Sequence, residues 1–485
     1  MKNNYLLILC LLISSKMFAT VWEVGPTKTY TNCTQVAPLV QHGDTVIIDT
    51  FNFVNQDQVV WTKNDLLIYG GISSNGTKLI AGNALATNSN GKGIFVIQGN
   101  NVRVYNLFFE NAKVVDMNGA GIRQEGKNLQ VQNCVFLNNE NGILTGAIPD
   151  CKTTITYCEF NNNGSPLNPG YQHNVYIGHI DSLVFKFNVC KNATAEGHEL
   201  KSRAKYNFIM YNLFLNDTTE DSRNIDLPNG GTVVMVGNTI TQSSFSANNN
   251  MMGYGLEGLT NAAPHNLWMT NNTFVNYKSV GSFINIASGT DSIFFKNNII
   301  AGANNGGTIV GTANFTDTSN NVESTNIADF KFFSSVCFML NDYSTIARNK
   351  GILILDSILG YELNPYYEYY SFVIGDLHPR SIQLFIIDAG ANEYYPNGIN
   401  IKEHYLNNIG ITIYPNPIND VLYISANKNI EITHLKIFNQ LGQIVFSSLI
   451  KDNLKCNISS LKAGNYIMAL YNKDKILGTQ KILKH

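Results

Sequence analysis

Val104-Tyr105-Asn106-Leu107-Phe108-Phe109 and Val131-Gln132-Asn133-Cys134-Val135-Phe136 are two copies of one line, a short strand running into Asn and then into aromatic or branched residues. The line returns as Ile155-Thr156-Tyr157-Cys158-Glu159-Phe160, Met210-Tyr211-Asn212-Leu213-Phe214, Val236-Gly237-Asn238-Thr239-Ile240, Thr270-Asn271-Asn272-Thr273-Phe274 and Phe295-Lys296-Asn297-Asn298-Ile299. The spacing, roughly 24 to 34 residues, is a solenoid period. A helical repeat of that length carries about 10 to 15 residues of helical periodicity. Here alternation has period two, β-branched residues abound and Gly or Asn punctuates, so the repeat is made of strands. Strands stacked coil on coil form parallel sheets, and a recurring corner Asn tolerates left-handed backbone while its amide bonds to the Asn above. The expected fold is all-β, a parallel β-helix.

Composition agrees with that reading. Of 485 residues only 14% are charged and 44% are hydrophobic, so Asn, Ser, Thr and Gly supply the polarity. The net charge of −2 provides neither a basic field for a nucleic-acid backbone nor the acidic excess of a disordered tail, so no nucleic-acid partner is expected. At the start, Lys2, the apolar run Tyr5 to Ile13 and Ala19 before a plausible cleavage point read as a signal peptide over 1–19. Leu9 precedes Cys10 where a lipoprotein would carry a small residue, so export without a lipid anchor is expected. No later stretch is long and apolar enough to span a bilayer, and the exported chain is expected to be soluble and monomeric. The seven remaining cysteines are sparse, odd in number and without a CxxC pair, which suits buried small hydrophobes better than zinc ligands.

With these repeats, the Val24-Gly25-Pro26 start and the Ile387-Asp388-Ala389-Gly390 close, residues 20–396 resemble the right-handed pectate-lyase-like superfamily, which implies a right-handed parallel β-helix solenoid. The irregular stretch from 326 to 396, with its aromatic cluster Tyr366 to Tyr370, reads as a last coil, a cap and packing loops. A linker is expected over 397–409. The segment 410–485 carries Tyr414-Pro415-Asn416-Pro417, Asp420-Val421-Leu422-Tyr423-Ile424, Leu435-Lys436-Ile437-Phe438-Asn439-Gln440-Leu441-Gly442 and Ile458 to Tyr466, the pattern of a small antiparallel β-sandwich. By fold alone this also suits a carbohydrate-binding or immunoglobulin-like module. The order of motifs resembles the C-terminal sorting domain of the type IX secretion system of Bacteroidetes. That resemblance implies the secretion machinery as a partner and a secreted or cell-surface location.

In a β-helix, residues at equal register form outward ladders about 4.8 Å apart. Asn174-Val175-Tyr176, Glu199-Leu200-Lys201, Asn224-Ile225-Asp226 and Gly255-Leu256-Glu257 recur at intervals of 25, 25 and 31 residues. With Val175, Leu200, Ile225 and Leu256 inward, the outward ladder reads Tyr176, Lys201, Asp226, Glu257. Alternation also puts Glu199, Lys201 and Arg203 on one face. Together with His173, His198 and Arg223 this is the densest charge in a charge-poor chain. Its competing reading is a solvated ladder of weak ion pairs. Arg123 and Glu125, in an earlier coil, are expected to extend the same face.

Gly197-His198-Glu199-Leu200-Lys201-Ser202-Arg203-Ala204 with Asp226-Leu227-Pro228-Asn229-Gly230-Gly231 resembles a recurring signature of bacterial β-helix proteins. Lys201-Ser202 with Arg223 one coil later is similar in spacing to the Lys and Arg pair of alginate-lyase-type β-helices. A lyase needs a cation on the uronate carboxylate, a base for the α-proton and a donor for the leaving oxygen. Lys201 as base, Arg223 or Arg203 on the carboxylate, and His198 or Tyr176 as donor meet those needs, with Asp226 beside them. Tyr176, Glu199, Arg203, Glu257 and His173 are the expected substrate-binding residues. Ca²⁺ held by Glu199, Asp226 and Glu257 is an alternative neutraliser. A glycoside hydrolase using Asp226 and Glu257, or Glu199, and a glycan-binding adhesin are the rival functions for a polysaccharide partner.

Overall fold

The computed structural model describes residues 19–71, 76–216, 218–332, 338–341, 343–380, 386–394, 411–426, 430–438, 444–450, 455–472 and 475–484. Residues 1–18 of the expected signal peptide and the whole expected linker lie outside them. The chain divides into two compact units, 1–396 and 397–485.

The first unit is a parallel β-solenoid. Successive coils contribute strands to three sheets: sheet I with 12 strands, from Val21–Val24 to Ala313–Ser319, sheet II with 11, from Asn52–Gln56 to Val322–Ser324, and sheet III with 10, from Val59–Trp61 to Ile309–Val310. Its interior is filled by inward rows, among them the stacked rings of Phe109, Phe136 and Phe160 with centroids 4.7 to 5.1 Å apart. At the first coil a short helix, α1 (Cys33–Val36), buries Cys33 and Val36 in the same core. All six described cysteines outside the leader are free and buried.

The repeat read from the sequence is a bend between two strands, one in sheet I and the next in sheet II. As expected, the left-handed Asn bonds amide to amide with its counterpart one coil away, Asn133 Nδ2 donating to Asn106 Oδ1 at 2.8 Å and Asn297 Nδ2 to Asn271 Oδ1 at 3.1 Å, and the neighbouring position carries a second amide ladder. Asn106, Asn133, Asn271 and Asn297 take φ between 52° and 60°. A residue in that conformation turns its side chain away from the core, and Asn133 is exposed. The next residue faces inward: the amides of Asn212, Asn238, Asn272 and Asn298 link in series at 2.8 to 3.0 Å. Each also caps main chain. Asn238 donates to the Ile209 carbonyl at 2.8 Å and accepts from the Asn212 N–H at 3.0 Å, so the sharp bend leaves no orphaned backbone group there.

The stretch read as a last coil, a cap and packing loops folds back along the side of the solenoid as a strap. Ile354 and Leu363 cover Val184, Phe208, Met210, Tyr211, Val234 and Val236 on and beside the outer face of sheet I. On sheet II, Tyr369 covers Val189, Leu213 and Leu215, while Phe330, Leu340, Ala347 and Ala389 cover Val275, Ile299 and Ala301. Thr270 Oγ1 donates to the Leu363 carbonyl at 2.5 Å and the Tyr369 hydroxyl to the Phe187 carbonyl at 2.8 Å. The cause is in the coils: their outward positions on these two sheets are apolar and have to be buried. None of these clusters includes the outer face of sheet III, where the charged residues lie.

The second unit, taken by itself, packs a three-stranded and a four-stranded antiparallel sheet around Ile411, Leu422, Leu435, Ile437, Met468, Leu470 and Ile482. This is the expected small sandwich. Among the described residues no helix is long and apolar enough to cross a membrane.

Candidate functional site

Four successive strands of sheet III carry the site: β1 (Val175–Ile177), β2 (Leu200–Ser202), β3 (Ile225–Leu227) and β4 (Asn250–Tyr254). Val175, Leu200 and Ile225 are in register and buried, so Tyr176, Lys201 and Asp226 form one outward row as expected. Arg123 lies in the same row two rungs before Tyr176, while Glu125 is engaged by Lys92 at 2.5 Å and Gln98 at 3.0 Å.

The fourth rung corrects the expected register. Ile225 pairs with Met252 and Asp226 with Gly253, so Leu256 and Glu257 are off the strand, and Met251 stands where Gly255 was expected. Space requires the glycine: a Cβ at Gly253 would lie 2.8 Å from Asp226 Oδ1 and 3.1 Å from Arg223 Nε. Glu257 sits in the loop after β4, between Gly255 and Gly258 with φ of +71° and +105°. Its N–H donates to the Pro228 carbonyl at 3.0 Å, and Asn261 Nδ2 donates to the Gly230 carbonyl at 2.8 Å. The loop therefore doubles back over the preceding coils and delivers Glu257 to the row it was expected to extend.

There the groups converge. Lys201 Nζ lies 3.0 Å from Asp226 Oδ2 and 2.7 Å from Glu257 Oε1. Arg203 Nη2 lies 2.7 Å from Glu257 Oε2, Nη1 donates to Asn229 Oδ1 at 2.7 Å, and Nε donates to the Tyr176 hydroxyl at 2.9 Å. Arg223 Nη1 reaches Asp226 Oδ1 at 3.4 Å and its Nε donates to Asn250 Oδ1. Three cations thus face two carboxylates, Asp226 almost fully buried and Glu257 with 46% of its side chain exposed. Burial alone would raise the Glu257 carboxyl, but hydrogen bonds from Lys201 and Arg203 hold it below the usual range. Burial opposes the charge on Arg203, yet Tyr176 and Glu257 push its pKa up.

The histidines lie behind this row. His198 Nδ1 lies 3.1 Å from the Arg223 nitrogen and 3.2 Å from its carbonyl oxygen, and Nε2 lies 3.7 Å from Asp226 Oδ2. His173 accepts at Nδ1 from the His198 N–H at 3.0 Å and stacks between the His198 and Tyr176 rings. Burial drives His198 down to about 4, against the pull of Asp226, and drives His173 well below the ordinary range. Both rings are neutral at neutral pH.

Glu199, expected beside Lys201 and Arg203, is instead fully buried. Its Oε1 accepts from the Ala193 N–H at 2.8 Å and Oε2 from Asn174 Nδ2, the place an Asn side chain fills in earlier coils. Where the chain enters sheet III two consecutive residues turn inward, as in Ile94-Phe95, Met251-Met252 and Phe283-Ile284, so period-two alternation breaks at the start of the strand. Burial and Asp221 push Glu199 well above the carboxylate range. The expected Ca²⁺ ligand set therefore does not fit: Glu199 faces the core, while Asp226 and Glu257 are taken up by cations. Among the described residues no group of three or more His, Cys, Asp or Glu can hold a metal ion. Asn229, Asn250 and Gly253 were missed as site residues. Asn229 had a visible signal, the Asp226-Leu227-Pro228-Asn229 stretch, whereas Asn250 and Gly253 had none without the true register.

Residues 412–485 match the family of secretion system C-terminal sorting domains. The chain is thus a β-solenoid protein exported by the type IX route, across the outer membrane or to the cell surface, with the secretion machinery as its partner. No curated protein sequence matches the chain significantly. Its solenoid is similar to several solved structures. ORF18 of Geobacillus virus E2 is 12% identical over 90% of this chain and 71% of that one, with a TM-score of 0.40. An alginate lyase from Paenibacillus sp. str. FPU-7 is 11% identical over 61% and 98%, with a TM-score of 0.36. Pectin methylesterase PemA from Erwinia chrysanthemi is 11% identical over 47% and 80%, with a TM-score of 0.32. Likenesses at this level carry no argument about activity.

Proposed function

We propose that the protein is a polysaccharide lyase that cleaves a uronate-containing glycan by β-elimination on the outer face of sheet III. One observation carries this reading: Lys201 and Arg203 grip a single carboxylate from two sides, at 2.7 Å each. A uronate carboxylate neutralised in that way acidifies its α-proton. In this reading Arg203 holds the carboxylate and Lys201 takes the proton from carbon. Tyr176, whose oxygen accepts from Arg203 and whose own proton is left to donate, protonates the departing glycosidic oxygen. Asp226 anchors Lys201 and is itself held by Arg223. Lys201 accepts a proton only as a free amine, so Glu257 has to leave before the step.

The hydrolase alternative requires one carboxyl kept protonated as general acid. Glu257 is held below its usual range, the opposite of that requirement, and Glu199 is walled off in the core. The deciding experiment incubates the purified protein with a panel of uronate-containing glycans and follows the ultraviolet absorbance of the unsaturated product. New reducing ends without that absorbance mean hydrolysis, and retention of glycan with neither product means an adhesin.

A further inference from the structure

Glu257 is the one member of the charged cluster that does not come from the sheet or from the residues running into and out of its strands. Its loop is tied down on either side, by the Glu257 N–H on Pro228 and by Asn261 on Gly230, but its carboxylate is the most exposed acid of the network. Were Glu257 to leave without a replacement, Arg203 would keep only the neutral Tyr176 hydroxyl and Asn229 amide, and Lys201 only Asp226. Arg203 is 18% exposed, too little for water to compensate fully. A ligand bringing its own carboxylate restores the Arg203 pair, whereas a neutral sugar or an esterified uronate leaves that guanidinium under-paired.

We infer that Glu257 is a specificity-determining residue: it occupies the place of the substrate carboxylate in the ligand-free protein and is displaced only by a glycan that carries a free carboxylate. This rests on the reading of the site as one for uronates. It works by penalising the wrong ligand rather than by adding a contact to the right one.

The test is calorimetric titration of the full chain with oligouronates (galacturonate, mannuronate, guluronate, glucuronate) and with their methyl esters, in wild type, Glu257→Gln and Glu257→Asp. Wild type should bind at least one oligouronate and not its ester. Glu257→Gln should bind that oligouronate roughly tenfold more tightly, with Glu257→Asp between the two because the shorter acid reaches one cation at a time. Unchanged or weaker binding by a Glu257→Gln protein with a wild-type unfolding midpoint overturns the inference. So does equal binding of acid and ester by wild type, or no oligouronate binding by any form. Tighter binding without unsaturated product sinks the lyase reading and keeps this one; elimination by Glu257→Gln at an unchanged KM does the reverse.

Discussion

The outer faces of sheets I and II and that of sheet III are built by the same coils, yet they become different surfaces. From Val184 to Ala301 the first two present Val, Phe, Met and Leu outward, and the strap buries them. Sheet III presents Tyr176, Lys201 and Asp226, joined by Arg203, Arg223 and Glu257. A solenoid sequence is three interleaved period-two patterns, and an outward row means something different in each. An apolar outward row marks a contact made by a distant part of the chain. A charged outward row, in a chain with few charges, marks where chemistry can be done.

Substitutions that separate the two kinds of surface test this contrast. Lys201→Ala should lower elimination by at least about a thousandfold while the unfolding midpoint stays near wild type, since loss of a proton-transfer group costs that much. Full activity in this variant breaks the assignment of sheet III as the reactive face. Leu363→Ala should do the converse. It opens the strap contact over sheet I, should cost about 2 to 4 kcal/mol in denaturant unfolding, and should leave KM unchanged.

A smaller effect comes from pH. Burial holds His198 down at about 4, while the unfolded chain protonates near 6.5. The unfolded state therefore binds more protons in that window, and stability falls by up to a few kcal/mol as pH drops from about 6.5 toward 4. Asp221 and Glu393, both pushed up to about 7 by burial, tilt the curve the other way as they gain protons. The His198 contribution is thus read as the difference in slope between wild type and His198→Gln, and parallel curves would refute it. Least of all should change when the Lys191–Glu159 pair, 2.8 Å apart on the outer face of sheet II, is removed by Lys191→Ala: within about 1 kcal/mol in stability and nothing in activity.

Much of this was legible in the sequence. Coils of equal length put Tyr176, Lys201 and Asp226 in one row because Val175, Leu200 and Ile225 mark the inward register at constant spacing. The next rung failed because the inward residue is Met252, 27 residues on, and the tempting Gly255-Leu256-Glu257 triad belongs to a loop. Glu199 failed because the inward turn at the entry to sheet III is a backbone bend, invisible to a period-two pattern. The aromatic cluster Tyr366 to Tyr370 announced packing, but its partners lie more than a hundred residues earlier, and no local pattern names them.

Stacked coils ordinarily lean only on their neighbours, so damage to one spreads slowly. The strap changes that. By gripping Phe187 at one place and Thr270 at another, it braces rungs that never meet, as a splint braces separate bones. The middle of the spiral should accordingly melt as a block rather than fray turn by turn, lending stiffness to the charged patch on sheet III.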